Sequence, residues 1–520
     1  MSVRTPSLLA SLLASLLVPL PPGIASGAET TTITVTIDRG RDVGQSFGSL
    51  FEATSSDGSL VVGAGFQNAY NTHYQADRHA LQFFIRPTSG QRSFKTEELP
   101  RPNLKLTGSY LFGRNGQVFS AYGGVKLWDP STRGWKGASS SYEQMRLGHG
   151  TLAFGTNMVK YQGKTVLGPP SEGDYRKFFY AQGHLCFYHV TRRGKPYHEY
   201  ISDEDGYCRL YACPWTSEEG RVDLSKAVTL RLPVVGETTF AWGQLGSQIV
   251  TGSNIGGFYV FEKGRWRMLL APVLNKSYQL YSSLGLGDRL LMGQYPTGRV
   301  FEFDGKEIKD QAGWPPVMPG VSRSSREAQT TVIYGGDLFV GVWPWAEVWR
   351  YNLDSKRWIF MRRMFDHPEL TDKLTHPYEV ENRDHPVANL WGQRVTSLIP
   401  NGSDLFLSTS SKGVDTWLPK KFPFLLPEKW KSYGKIYRLT MPGHLSASAK
   451  WTDGPSKIEF VIRGRVVSII QDGTPLATTN LSGDLPDQVG RLKTLKDVRW
   501  GDGTYGRYGG ESLKGDITQK

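Results

Sequence analysis

Along this chain, short alternating or apolar runs are separated by tight turns rich in Gly, Asn and Asp, the pattern of many short β-strands rather than of a helix bundle. The clearest unit reads Thr330–Tyr334, the turn Gly335-Gly336, Asp337–Trp343, Glu347–Leu353, the turn Asp354-Ser355-Lys356, and Arg357–Met361. That is four consecutive antiparallel strands. Its strand-turn-strand core recurs seven times, with turns at Asp57-Gly58, Asn115-Gly116, Gln182-Gly183, Gly246-Ser247, Gly287-Asp288, Gly335-Gly336 and Asn401-Gly402. Third strands are predicted at Leu81–Ile85, Val125–Asp129, Cys208–Ala212, Phe258–Glu262, Val300–Asp304, Val348–Asn352 and Lys435–Leu439. A lone four-stranded unit exposes an edge and an apolar face. Setting such units radially, face against face, buries those surfaces.

The expectation is therefore an all-β protein: a seven-bladed β-propeller over 29–445 with a small C-terminal β-rich appendage over 446–520. A large sandwich is one alternative. Eight blades is another, if the hairpin Thr151–Leu167 counts as a blade. The strand Thr31–Ile37 either completes the last blade or joins the C-terminal region. In that region the run Trp500-Gly501-Asp502-Gly503-Thr504-Tyr505-Gly506 resembles the closing strands of laminin-G/concanavalin-like jelly rolls. The predicted propeller is similar in architecture to secreted seven-bladed polysaccharide lyases such as the ulvan lyases. Their catalytic pattern does not align onto this chain residue by residue, so the resemblance implies a scaffold and assigns no role.

Composition narrows the setting. Fifty-nine Gly and 30 Pro among 520 residues fit a turn-rich fold, and three Cys cannot staple a fold this large. Cys186, Cys208 and Cys213 lie close in sequence, so one pair could close and leave a thiol over; their spacing is not that of a zinc site. Arg4, the apolar run Leu8–Leu20 and the small residues Ala25–Ala28 are the parts of a cleaved secretory signal peptide over 1–28. The expected location is secreted or periplasmic, with no later membrane span. The formal charge is +13, or +12 once Arg4 is removed. Such a charge suits anionic surroundings such as acidic polysaccharide. Its dispersal, with no Lys/Arg block, argues against nucleic acid.

In a propeller, the starts of the inner strands and the loops between second and third strands meet at one face. Candidates at that mouth are Arg176, Glu237, Glu327 and Arg394 from inner strands, and His73, Tyr74 and His79 from the loop of the first predicted blade. Substrate-binding candidates are Tyr278, Gln279, Tyr295, Gln329, Trp343, Trp345 and Gln393, with His376 from the long link Phe365–Leu390. Trp and Tyr suit stacking on sugar rings, and Arg and Gln suit carboxylates and hydroxyls. The chain carries no nucleophile elbow, phosphate-cradling loop or metal-protease helix.

The functional expectation is a secreted carbohydrate-active protein that binds or cleaves an acidic polysaccharide at this mouth. As a lyase it would use His73, Tyr74 or His79 as base and Arg176 or Arg394 to offset charge. As a glycosidase it would use Glu237 and Glu327. A divalent cation such as calcium is left open as a cofactor. The alternative is a non-catalytic platform for glycan or protein binding, with Glu237 and Glu327 neutralised by Arg176 and Arg394.

Overall fold

The computed structural model describes residues 30–67, 69–71, 77–89, 92–191, 206–234, 236–274, 277–381, 390–500 and 514–519. Among them, seven antiparallel sheets each begin on an inner strand: Tyr110–Arg114, Gln144–Leu147, Asp174–Ala181, Thr239–Leu245, Gln279–Leu286, Glu327–Tyr334 and Arg394–Asn401. Each of the first six continues outward through three further strands in chain order. The seventh takes two, Asp404–Ser410 and Ile436–Thr440, and is completed by Lys95–Leu99 from before the first sheet. The strand that ties the two ends together is thus Lys95–Leu99, and not Thr31–Ile37.

Cores between sheets link them in succession. Phe154 of the second sheet stacks on Phe178 of the third, and Phe179 stacks on Trp242 of the fourth. Phe258 meets Phe303 of the fifth. Trp314, beyond the outermost strand of the fifth sheet, meets Tyr351 of the sixth, and Val332 of the sixth shares a core with Leu398 of the seventh. The seventh returns to the first where Phe406 meets Trp128. Inner strands covered on both faces lose their polar alternation: every residue of Glu327–Tyr334 is buried. The outermost strand of the same sheet, Arg357–Arg363, is largely exposed, and its Arg side chains blunt the free edge. Neighbouring sheets approach so closely that a Cβ on Gly341 would lie 2.7 Å from Val395 Cβ, and one on Gly293 1.9 Å from the Ala328 carbonyl oxygen. The architecture is all-β with a β-propeller fold.

The first predicted blade is not part of this ring. Its strands, Ser49–Ser55, Leu60–Phe66 and Ala80–Pro87, lie in a five-stranded sheet between His444–Ser448 and Leu495–Trp500. A second five-stranded sheet runs Thr474–Asn480, Val466–Gln471, Ser456–Arg463, Thr30–Asp38, Lys514–Gln519. The two share one core in which Phe460 contacts Phe51 and Phe83. The expected appendage is therefore a sandwich built from both ends of the chain. The alternating burial of Ser456–Arg463 is that of a strand with one face on this core. Conversely, the hairpin Thr151–Leu167, left out of the seven predicted units, belongs to a full four-stranded sheet, Gln144–Leu147 through Lys164–Leu167. The jelly-roll-like run after Trp500 lies outside the described residues, as do residues 1–29.

The sandwich docks on the propeller face that carries the turns between first and second strands. Arg86 donates to Asp354 at 3.0 Å and to the Gly336 carbonyl at 2.5 Å, Ser446 N–H to the Gly402 carbonyl at 2.7 Å, and Gly183 N–H to the Val43 carbonyl at 2.7 Å. From the same sandwich a short strand, Ala69–Asn71, pairs with the inner strand Gln279–Leu286 and contacts its two neighbours. The central channel therefore contains chain at that end.

Candidate functional site

The opposite face carries the loops between second and third strands and the starts of the inner strands. Five inner strands bulge near that end, between Arg176 and Phe179, Thr239 and Trp242, Leu280 and Ser282, Ala328 and Thr330, and Val395 and Ser397. A bulge turns an extra residue out of the ladder, so it re-aims a side chain without ending the strand. The residues concerned include Lys177, Phe240, Tyr281, Gln329 and Thr396.

With the starts of the other inner strands, these residues form a continuous circuit. Arg394 hydrogen-bonds Tyr110, whose ring lies 5.0 Å from Tyr122. Tyr122 stacks on Tyr142 at 6.2 Å. Glu143, next in the chain, lies in the field of Lys177. The Lys177 ammonium lies 5.7 Å from the Phe240 ring centroid, and Phe240 meets Tyr281 edge-on at 5.2 Å. Tyr281 lies in the field of Glu327 and Arg394, which pair at 3.0 Å and close the circuit. Each of the seven sheets contributes.

Electrostatics follow from burial. Removal from water pushes the Glu143 carboxyl up, against the attraction of Lys177. The Lys177 ammonium is pushed down by its own burial and by Arg176. Both shift towards the neutral form. For Arg394, burial works against the charge, but Glu327, Tyr110 and Tyr281 outweigh it and hold the guanidinium above its ordinary value. Lys412 reaches the same neighbourhood, 5.8 Å from the Trp343 centroid, and burial lowers it. Gln329 is 1% exposed, and neither end of its amide has a hydrogen-bond partner among the described residues.

The predicted candidates scatter relative to this circuit. Glu327, Arg394 and Gln329 are brought together, and Glu327 and Arg394 make the expected pair. Glu237 is fully buried and accepts from the Tyr259 hydroxyl at 2.8 Å. Arg176, 42% exposed, pairs with Asp174 at 3.5 Å. His79 is not at the mouth but within the sandwich core, edge-on to Phe47 and Trp451. Burial and the nearby Arg78, Arg146 and Arg39 hold it well below the usual histidine range, and its place in that core takes it away from the propeller mouth. His73 and Tyr74 lie outside the described residues.

Gln279 accepts from the Tyr281 hydroxyl at 2.5 Å. Tyr278 packs on Phe301, and Tyr295 lies 6.1 Å from Trp343. Trp345 and Gln393 are packed beneath the long link, with His376 turned inward from it, and none of the three forms a rim: Trp345 lies 4.8 Å from the His376 ring, and Gln393 donates to the His367 carbonyl at 2.6 Å. The three cysteines are free and buried. Among the described residues no three His, Cys, Asp or Glu side chains gather as a bound metal would need. Tyr122, Tyr142, Glu143, Lys177, Phe240 and Tyr281 escaped the sequence reading. Their one local signal is adjacency to a turn or strand start, which many residues share.

The fold and the circuit define a class, a β-propeller with a side-chain ring at its free face. No family profile and no curated relative matches the chain. Solved structures with some likeness include the computationally designed Ika8 protein (11% identity, 71% of this chain and 97% of that one, TM-score 0.33). Another is the Myceliophteria thermophila Cps50 (Swd1) β-propeller domain (9% identity, 67% and 99%, TM-score 0.33). A third is BamB from Moraxella catarrhalis (12% identity, 78% and 96%, TM-score 0.31). At these scores the description of the fold rests on the sheets themselves.

Proposed function

We propose that the seven sheets are the blades of one propeller, and that its free face binds an acidic glycan without cleaving it. The observation that carries this reading is the circuit itself. Tyr110, Tyr122, Tyr142, Phe240 and Tyr281 give it aromatic rings, Lys177 and Lys412 give it cations beside the Glu327–Arg394 pair, and the Gln329 amide has no partner among the described residues. Tyr122, 40% exposed, offers a ring face to a sugar. Hydrolysis has little support: Glu327 is neutralised by Arg394 and Glu237 is sealed behind Tyr259. The charge of +13 and the signal-like start of the chain favour an exported protein meeting anionic polymer.

Calorimetric titration of the purified protein with oligogalacturonate, oligomannuronate and neutral dextran oligomers tests the proposal. Binding of an acidic oligomer is expected, weakened about fivefold to tenfold by Tyr122→Ala through loss of stacking worth roughly 1 kcal/mol. No binding to any acidic oligomer sinks it. A second reading, polysaccharide lyase, draws on the opposed shifts of Glu143 and Lys177. A neutral Lys177 would take the proton beside a uronate carboxylate, and release of unsaturated uronate, followed by absorbance, would replace the binding reading with this one.

A further inference from the structure

Two cavities lie in the seam between sandwich and propeller, on the side away from the circuit. One of about 50 Å³, at the foot of the channel, is lined by Gln67, Tyr70, Asp77, Arg78, Arg114 and Arg146 among others. That is room for several water molecules, or for one carboxylate group. The other, about 260 Å³, shares Gln67, Asp77 and Arg114 and extends past Asn115, Asn401, Ser446 and Ser448. The two cavities adjoin across these shared residues.

The charges in the smaller part do not balance. Arg78 pairs with Asp42 from behind. Among the described residues Arg114 and Arg146 share one carboxylate, Asp77, which Arg146 reaches only at 3.4 Å. Asp77 also accepts from the Asn115 N–H at 3.0 Å and the Ser448 hydroxyl at 3.2 Å. The other contacts of Arg114 are to Gln144, and those of Arg146 to Ser448 and the Ala449 carbonyl, all neutral. Arg39 stands behind, sharing Asp42 with Arg78 and with Asp472 as a weaker counter-charge, so four guanidinium groups face three carboxylates. Arg114 and Arg146 are half-buried, and holding two positive charges partly out of water against one carboxylate is costly. A second observation points the same way. Gln67 is 7% exposed and lines both parts, and among the described residues its amide nitrogen has no acceptor; the Arg78 Nε is likewise buried without one.

We propose that this seam cleft binds a sugar acid, a monosaccharide-sized polyol carrying one carboxylate. The carboxylate would sit against Arg114, Arg146 and the Gln67 amide, and the hydroxylated body would lie in the larger part among Asn115, Asn401, Ser446 and Ser448. Charge and a vacant donor specify the acid end. Asn115, Asn401, Ser446 and Ser448 offer the hydroxyls of the body polar contacts, and Ile399, Leu476 and Ala477 offer its ring carbons an apolar wall. Because the walls come from both units, bound ligand clamps sandwich to propeller and raises the stability of the whole. The site is independent of the circuit on the opposite face.

The test is calorimetric titration and thermal unfolding of the full chain with glucuronate, glucose and sulfate. Glucuronate is expected to bind one to one and to raise the unfolding temperature, with glucose and sulfate much weaker. Gln67→Leu preserves size and leaves no partner bereft; it is expected to weaken glucuronate about fivefold to tenfold with the ligand-free unfolding temperature unchanged. Arg114→Met is expected to weaken it more than about tenfold. Tyr122→Ala is expected to leave this binding intact, which separates the seam from the circuit. The proposal is overturned if glucuronate binds no better than glucose, if sulfate binds as tightly as glucuronate, or if Gln67→Leu leaves the affinity unchanged.

Discussion

The pair Glu327–Arg394 makes the sharpest test of how the circuit is held. The two side chains are 1% and 3% exposed, and one guanidinium nitrogen lies 3.0 and 3.3 Å from the two carboxylate oxygens. At an effective dielectric of about 20, unit charges 3 Å apart attract by about 5 kcal/mol, most of which only offsets the cost of taking both from water. Removing one partner is different, because it strands the other. Arg394→Met is expected to lower unfolding free energy by about 3–5 kcal/mol, and Glu327→Leu by a similar amount. The double variant is expected to recover much of this, because no charge remains buried. Urea unfolding at neutral pH, followed by tryptophan fluorescence, gives all three values and hence the coupling. The coupling should persist at high salt, since screening acts weakly on a pair out of water. If the single effects add to that of the double within about 0.5 kcal/mol, the pair does not act as a unit and this account of the mouth is wrong.

Stability should also fall as pH drops from about 6.5 towards 4. Burial holds His376 and His444 down to about 3, so below pH 6.5 the unfolded chain takes up protons that the native state refuses. Each such site contributes a slope of about 1.4 kcal/mol per pH unit across that window. His444→Asn, which keeps an acceptor for the Gly335 N–H, should flatten the slope by one site, and an unchanged slope contradicts the assignment. Cys186, Cys208 and Cys213 are buried, and burial raises their thiols, to about 11 for Cys208 and about 12 for Cys213. A thiol reagent should therefore label none of them in the native protein and all three after denaturation; native labelling would refute the burial. Gly341→Ala should destabilise by about 1–3 kcal/mol, because its Cβ would press on Thr330 and Val395 between two sheets; an unchanged urea midpoint would show that the sheets can part there.

Local chemistry was legible in the sequence, and long-range pairing was not. Phe258–Glu262 and Asp337–Trp343 are the same strands in both descriptions, because alternation and Gly-rich turns act over a few residues, whereas Thr330–Tyr334 lacks the first three residues of the observed Glu327–Tyr334, which lie at and before its bulge. The Asp57-Gly58 hairpin obeys those same local rules, yet it stands in the sandwich. Its sheet is decided by pairing of Ser49–Ser55 with Leu495–Trp500, more than four hundred residues away, which no local pattern encodes. That one reassignment carries His79 from the expected mouth into a core. The candidate site divides in the same way. Charge complementarity made Glu327 and Arg394 a readable pair, whereas Lys177, Phe240 and Tyr281 became neighbours only because bulges on three strands bring them to one rim. The sequence by itself determined where strands and turns form, since those depend on backbone preference and side-chain alternation. Tertiary structure decided which strands share a sheet and which side chains meet, since those depend on how much apolar surface distant segments bury together.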